Sequence, residues 1–215
     1  MSELRKIRLL AANYGGYVLI FFHVIGLFLL APDWRQDFVS LTPYNLLLMF
    51  LIFLLASDPP QKTFAYLAPI LLGFIIEVIG TNTGWPFGAY TYGEVLGPQL
   101  FNTPLMIGVL WWVLIRAWYD LAKIWTANGW LKALVTGTAM VSMDILIEPV
   151  AIELGYWTWE GETVPLSNYI AWFVLATLFA RFTSAGDTSN RLSPWVIIIF
   201  TLFFGLLNAA YLIGA

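Results

Sequence analysis

Three acidic residues stand inside apolar stretches of the sequence, and two of them are spaced to act together. Asp144 and Glu148 lie in the segment MDILIEPVA, four residues apart, so a helix places both carboxyls on one face. Glu77 ends the apolar run LAPILLGFIIE. Two carboxyls that share an apolar site do not ionise together easily, so one is expected to keep its proton near neutral pH. A protonated acid beside a carboxylate is suited to proton transfer to carbon or oxygen.

The alternative interpretation of such residues is a structural hydrogen bond between helices. An acidic side chain in a bilayer costs on the order of 2.5–3.5 kcal/mol even on permissive insertion scales, which favours a functional role for the three acids. His23, Asn168 and Asn208 fit the structural interpretation better when each is taken singly. Counted at about 1.5 Å per residue, however, all of these groups reach the same outer half of the membrane.

The composition is that of a membrane protein. The chain has 215 residues, of which 60% are hydrophobic, 17% aromatic and only 11% charged, whereas about a quarter of a soluble domain is charged. A net charge of -3 without a basic run argues against nucleic-acid binding. The lack of cysteine excludes disulfides and thiolate metal sites, and one histidine cannot build a multi-histidine iron site. We therefore expect no metal and no cofactor.

The elements that position these groups are predicted to be seven membrane helices. They cover residues 12–31, 41–57, 64–80, 104–122, 130–152, 165–183 and 194–214. The second is the doubtful one because its apolar part is short. With the N-terminus cytoplasmic and the C-terminus extracytoplasmic, nine of the ten basic residues lie inside and only Arg35 lies outside, as the positive-inside rule requires. The nine are Arg5, Lys6, Arg8, Lys62, Arg116, Lys123, Lys132, Arg181 and Arg191. The predicted fold is an all-α polytopic membrane helix bundle, with residues 1–215 as one integral-membrane catalytic domain.

Two predicted extracytoplasmic loops share one character. The stretch from Glu77 to Pro104 and the segment ELGYWTWEGETVP are rich in Trp, Tyr and Gly and lack both Lys and Arg. An interfacial aromatic belt explains single aromatic residues, but two matched loops on one side indicate a site. Without a cation, an anionic headgroup is poorly held, so the expected ligand is neutral and apolar. Aromatic rings suit a polyene and stabilise a carbocation through their faces.

Four segments resemble a known family. EVIGTNTGWPFGAYTY, NTPLMIGVLWW, MDILIEPVA and GYWTWE…VPLSNYIAWF, within roughly residues 70–180, are similar to the membrane carotenoid-biosynthesis family that includes bisanhydrobacterioruberin and γ-carotene hydratases. The resemblance implies addition of water across the terminal double bond of an acyclic (ψ) end group, giving a tertiary hydroxyl, on a carotenoid such as lycopene or γ-carotene. It also implies a bacterial cytoplasmic-membrane location and association with other carotenoid-pathway enzymes.

Residue roles follow from this chemistry and the resemblance together. Asp144 or Glu148 is expected to be the acid, with the other tuning it, and Glu77 with Asn82 and Asn168 is expected to hold and deprotonate the water. The order of acid and base stays open. Predicted to line the pocket are Trp85, Tyr90, Tyr92 and Trp157, with His23 and Asn208 as further substrate-binding candidates.

Two other functions fit parts of the pattern. A carotenoid end-group cyclase protonates the same alkene, but an internal double bond captures the cation; polar residues near the acid favour water instead. A proton-coupled transporter or a carotenoid-binding protein also places carboxyls in the membrane, but a transporter is expected to show internal repeats, and none is evident.

Overall fold

The described part of the chain is mostly helical. The computed structural model describes residues 3–30, 35–57, 63–161, 163–183 and 189–214. Within those ranges lie eight α-helices: α1 (Glu3–Leu29), α2 (Arg35–Phe38), α3 (Thr42–Ala56), α4 (Thr63–Thr83), α5 (Leu105–Ala122), α6 (Gly129–Glu153), α7 (Leu166–Phe182) and α8 (Ser193–Gly214). Each of the seven predicted segments corresponds to one of the long helices, and the largest difference is that α1 begins at Glu3 rather than near residue 12.

Six of the described helices are long and apolar enough to cross a membrane. They are α1, α3 together with the 3₁₀ turn Val39–Leu41 before it, α4, α5, α6 and α8. The doubtful second segment is therefore a helix of sufficient length. The remaining predicted span, α7, is apolar but has only 17 residues. A count of seven spans and the cytoplasmic N-terminus remain predictions, and in the charge count Lys62 lies outside the described residues.

Helix α5 is the centre of the bundle. It packs against α3, α4, α6, α7 and α8, and it is buried along most of its length. A helix that is apolar on all sides is expected to occupy such a central place. Helices α6 and α7 form the closest helix pair, which brings the acidic face of α6 against the first turns of α7.

Two small sheets occur where the sequence predicted only loops, so the all-α prediction is incomplete. Strands β1 (Tyr90–Tyr92) and β4 (Trp157–Trp159) pair antiparallel, with Tyr90 opposite Trp159 and Tyr92 opposite Trp157. Strands β2 (Gln99–Leu100) and β3 (Thr103–Pro104) form the second pair. Because side chains alternate along a strand, Tyr90 and Tyr92 of β1 lie on one face of the sheet. Trp157 and Trp159 of β4 lie on that same face. The first sheet therefore ties the two aromatic loops together.

A close crossing of the chain fixes this sheet. The Gly93 amide donates to the Tyr156 carbonyl oxygen at 2.9 Å, immediately beyond the paired residues. A Cβ at position 93 would collide with the carbonyl oxygen of Gly155. Glycine is therefore required at Gly93 for the two loops to approach this closely.

Candidate active site

A small polar pocket lies between the C-terminal halves of α4 and α6, the N-terminal part of α7 and the β1–β4 sheet. Its cavity volume is about 20 Å³, which is about the room that one water molecule needs. The described residues that line the pocket supply three carboxyls, one amide and a shell of aromatic and aliphatic side chains, and none of them is Lys or Arg. The lining residues are Glu77, Phe87, Tyr90, Tyr92, Ile107, Asp144, Glu148, Trp157, Trp159, Asn168 and Trp172.

Glu77 is held by three hydrogen-bond donors. Its Oε2 accepts from the hydroxyls of Tyr90 at 2.6 Å and Tyr92 at 2.7 Å, and its Oε1 accepts from the Trp111 indole N–H at 2.8 Å. A carboxylate accepts hydrogen bonds at both oxygens and donates none, so this arrangement matches the ionised form of the side chain. Strand β1 and helix α5 thus fix the position of the Glu77 carboxyl.

The two tyrosines remain donors over a wide pH range. Burial, followed by the nearby Glu77 carboxyl, raises the pKa of Tyr90 and of Tyr92 well above the usual value for a phenol. Gly80, one turn beyond Glu77 on α4, leaves room for the Tyr90 ring. A Cβ there would lie 2.7 Å from the Tyr90 hydroxyl oxygen and 2.6 Å from the Phe87 ring.

Asp144 and Glu148 meet at one amide. The Asn168 side-chain nitrogen donates to Asp144 Oδ2 at 2.7 Å and reaches Glu148 Oε1 at 3.4 Å. Glu148 Oε2 in addition accepts from the indole N–H groups of Trp157 at 2.9 Å and Trp159 at 3.1 Å. Among the described residues, Asp144 receives only the bond from Asn168. The four-residue spacing therefore does place both carboxyls on one face of α6.

Two predicted site residues lie elsewhere, which corrects the expectation for them. The Asn82 amide donates to the carbonyl oxygens of Val78 at 2.8 Å and Phe101 at 3.1 Å, on the exposed side of α4. Asn82 follows Glu77 by five residues, which turns it roughly 140° around the helix axis and away from the pocket. Trp85 is 67% exposed in the loop after α4 and does not line the pocket.

His23 and Asn208 also lie away from the carboxyls. His23 donates from Nδ1 to the Leu19 carbonyl oxygen at 2.8 Å and lines a second, larger cavity. The Asn208 amide donates to the Leu146 carbonyl oxygen at 2.8 Å, which joins α8 to α6. By contrast, the structure brings four predicted residues into the pocket with the three acids, namely Tyr90, Tyr92, Trp157 and Asn168.

Comparison with known proteins agrees with the resemblance seen in the motifs. A family profile described as "Carotenoid biosynthesis protein" matches residues 40–213, which include every described residue of the polar pocket. The chain belongs to this family. A relative, the bisanhydrobacterioruberin hydratase of Haloarcula japonica, is 31% identical over an alignment of 164 residues, and the match covers 68% of this chain and 56% of the relative. The chain thus spans a little over half the length of that relative. No solved structure matches the chain.

Sequence reasoning missed two hydrogen-bond donors in this carotenoid-biosynthesis protein. Trp111 binds Glu77, but its neighbour Trp112 instead donates to the Tyr66 carbonyl oxygen at 2.7 Å, and the WW dipeptide gives no sign of which indole faces the acid. Trp159 was detectable, since it follows Trp157 by two residues and a strand places both on one face.

The arrangement supports acid–base chemistry on a neutral molecule. Three carboxyls share one pocket, and they differ in the number of donors that each receives. A carboxyl with few donors holds a proton at the lowest cost, and one with many donors holds a negative charge. The pocket therefore combines a carboxyl suited to hold a proton with carboxyls suited to hold a negative charge, and no described residue of its lining is Lys or Arg.

Proposed function

We propose that this carotenoid-biosynthesis protein is a hydratase that adds water across the terminal double bond of an acyclic (ψ) carotenoid end group. The observation that carries the proposal is the convergence of three carboxyls in a pocket of one-water size that is lined with aromatic rings and, among the described residues, contains no Lys or Arg. The similarity to a protein named bisanhydrobacterioruberin hydratase supports the same reaction class. Lycopene and γ-carotene are the substrates that we would test first.

The reaction balances with protons alone. An acid protonates the less substituted carbon of the terminal double bond, which leaves a tertiary carbocation on its neighbour. Water attacks that carbon through its oxygen and then loses a proton to a base, giving a tertiary alcohol. One proton leaves the protein and one returns, so the net change is the addition of one water.

We assign the acid to Asp144 and the base to Glu148. Asp144 receives a single hydrogen bond within the described structure, so it carries a proton at lower cost than the other two acids. Glu148 accepts two indole N–H bonds on Oε2, and its Oε1 has only the long contact from Asn168, which leaves it able to accept a proton from water. Since both carboxyls contact the same Asn168 amide, the proton has a short way back to Asp144.

Glu77 takes a different role from the one that the sequence suggested. Asn168 binds the α6 carboxyls rather than Glu77, and Asn82 lies outside the pocket, so Glu77 lacks the two partners expected for holding water. Its three donors instead suit a permanent negative charge, which stabilises a carbocation across the pocket. The ring faces of Tyr90 and Trp157 add to that stabilisation.

The membrane arrangement belongs to the same proposal. We propose seven spans, with α7 as the shortest, an N-terminus in the cytoplasm and the polar pocket in the extracytoplasmic half of a bacterial cytoplasmic membrane. The charge distribution supports this orientation. Association with other carotenoid-pathway enzymes remains a prediction.

The test is the fate of a labelled water. Cells that accumulate an acyclic carotenoid are grown in water enriched in heavy oxygen, with and without the protein. The pigments are then separated by chromatography and their masses are measured. A new polar pigment, heavier by one water and carrying the label in its hydroxyl, is the expected product. A new pigment of unchanged mass would indicate cyclisation and would refute the hydratase proposal.

The carboxyls are tested in the same cells. Asp144→Asn, Glu148→Gln and Glu77→Gln are each expected to abolish the hydroxylated pigment while the protein still accumulates in the membrane. Glu153→Gln is the matched control, because Glu153 is an exposed acid near the end of the same helix α6. Product formation close to the wild-type level in any of the three pocket variants would overturn the role assigned to that residue.

A further inference from the structure

A second cavity, larger than the polar pocket, adjoins it. Its volume is about 290 Å³, near the lower end of ordinary small-molecule sites, and it lies among α1, α3, α5 and α8 beneath the outer loops. Ile107 and Trp157 line both this cavity and the polar pocket, so the two spaces share a wall. The Trp157 indole N–H is bonded to Glu148 at that wall. A molecule in the large cavity therefore has one end beside the carboxyls.

The wall of the large cavity is built for a neutral, apolar molecule. None of the described residues that line it is Asp, Glu, Lys or Arg. The hydroxyls of Thr42 and Tyr156 lie 3.0 Å apart and satisfy each other. Asn45 Oδ1 is buried without a hydrogen-bond partner among the described residues, so one hydroxyl of a bound molecule or one water has a place there.

Exposed side chains of α1 and α3 form another part of the wall of the large cavity. Tyr44 on α3 lines the cavity and is 70% exposed, and Phe22 on α1 and Leu41 before α3 also line it and are exposed. These side chains lie on helices that are long and apolar enough to face lipid. An opening between such helices admits a molecule from the bilayer rather than from water.

We propose that this cavity is the chain-binding channel of the enzyme, which admits a long neutral polyene sideways from the bilayer and places its end group against the polar pocket. The inference rests on the proposed function and adds to it a second site, which binds the hydrocarbon chain rather than the reacting water. The polar pocket has room for about one water and not for a hydrocarbon chain, so the chain must lie in the adjoining space. A lipid acyl chain is the competing occupant.

The channel is tested by filling it at a distance from the carboxyls. Gly26 on α1 and Phe203 both line the cavity, and a Cβ at position 26 would lie 3.2 Å from the Phe203 ring, so Gly26→Leu crowds this part of the wall and narrows the space. Gly205→Leu is the matched control, since a Cβ at Gly205 on α8 meets no atom within 4 Å. Leu46→Phe fills the same cavity from α3 and guards against misfolding of the first variant.

Two substrates with the same terminal double bond separate the channel from the reaction. One is a full-length acyclic carotenoid, and the other is a short acyclic isoprenoid hydrocarbon that occupies only the part of the large cavity beside the shared wall. Gly26→Leu and Leu46→Phe are expected to lower conversion of the carotenoid about tenfold or more and to leave the short substrate within about twofold of wild type. Equal effects on both substrates, or none on the carotenoid, would overturn the channel.

A binding measurement separates this inference from the reaction itself. Asp144→Asn protein, purified from cells that accumulate an acyclic carotenoid, is expected to retain the pigment, and the double variant with Gly26→Leu is expected to lose it. If wild-type protein converts no polyene but pigment retention still depends on Gly26, the hydratase proposal fails and the channel stands. Retention of lipid acyl chains in place of pigment would refute the channel.

Discussion

The adjacent residues Trp111 and Trp112 allow a sharp test of the part played by Glu77. Both side chains are fully buried in α5, and each donates one indole N–H, at 2.8 Å and 2.7 Å. The acceptors differ, because Trp111 binds the Glu77 carboxyl and Trp112 binds the Tyr66 backbone carbonyl. Replacing either with Phe removes one N–H and a similar volume. The two variants therefore differ mainly in the acceptor that loses its hydrogen bond, which is a carboxyl in one and a backbone carbonyl in the other.

The magnitudes follow from the kind of acceptor. A hydrogen bond to a charged group contributes about 1.5–3 kcal/mol and one between neutral groups about 0.5–1.5 kcal/mol. If the negative charge of Glu77 stabilises the carbocation, Trp111→Phe frees the carboxyl to move and raises the activation barrier by about 1.5–3 kcal/mol. At 1.36 kcal/mol for each tenfold change in rate, hydration slows by about ten- to a hundredfold. Trp112→Phe is expected to keep a rate within a few-fold of wild type.

The assay compares the rate per mole of folded protein with the apparent unfolding temperature. Both variants are purified in detergent, their melting is recorded, and formation of the tertiary alcohol from an acyclic carotenoid is followed by chromatography with mass detection. We expect both variants to lose a similar amount of thermal stability and only Trp111→Phe to lose rate. If the two variants lose rate equally, the Trp111 bond to Glu77 has no special place in the reaction, and the charge assigned to Glu77 is wrong.

Two further predictions concern the other donors of the pocket. Asn168→Leu removes the amide shared by Asp144 and Glu148, so the hydration rate is expected to fall at least tenfold, and mass detection of the alcohol checks this against Glu153→Gln; an unchanged rate would contradict the shared amide. Tyr90 and Tyr92 have a raised pKa in the folded protein, so both the folded and the unfolded state keep the phenol protons up to pH about 10. Up to that pH these residues add no pH dependence to the free energy of unfolding. Above that pH the unfolded chain releases protons first, and the apparent unfolding temperature is expected to fall, less steeply in the variant with both tyrosines changed to Phe. Ultraviolet titration that shows these two phenols ionising near pH 10 in the folded protein would contradict their burial.

The helices were predictable because the information for them is local. Runs of apolar residues of membrane-spanning length define α3 to α8 within a few residues, and the i, i+4 rule alone placed Asp144 and Glu148 on one face of α6. The beginning of α1 was less predictable, since its first turns carry Glu3 and several basic residues that hide a continuous helix from a hydropathy criterion.

The inner surface of the pocket depends on long-range pairing that no local pattern determines. Strand β1 follows α4 and strand β4 follows α6, and only their pairing directs Tyr92 toward Glu77 and Trp157 toward Glu148. Two three-residue strands in loops full of Gly, Trp and Tyr carry too little alternation to be recognised from sequence. Asn82 lies outside the pocket for a related reason, because its proximity to Glu77 in sequence is not proximity of the two side chains in space.

In the proposed hydratase, the separation of polar and apolar space gives the hydrocarbon and the water different places in one small site. An apolar cavity resists filling by water, so the large cavity stays available for the hydrocarbon chain. If the hydrocarbon entered the polar pocket, it would displace the one water that the reaction consumes. Ile107 and Trp157 stand at the shared wall, where the alkene end meets the water, and Trp157 is also bonded to the proposed base Glu148. In this proposal the Trp157 side chain both positions the base and limits how far the polyene advances. Trp157→Phe is therefore expected to alter both the rate and the position of hydration. Trp159→Phe is expected to alter the rate alone.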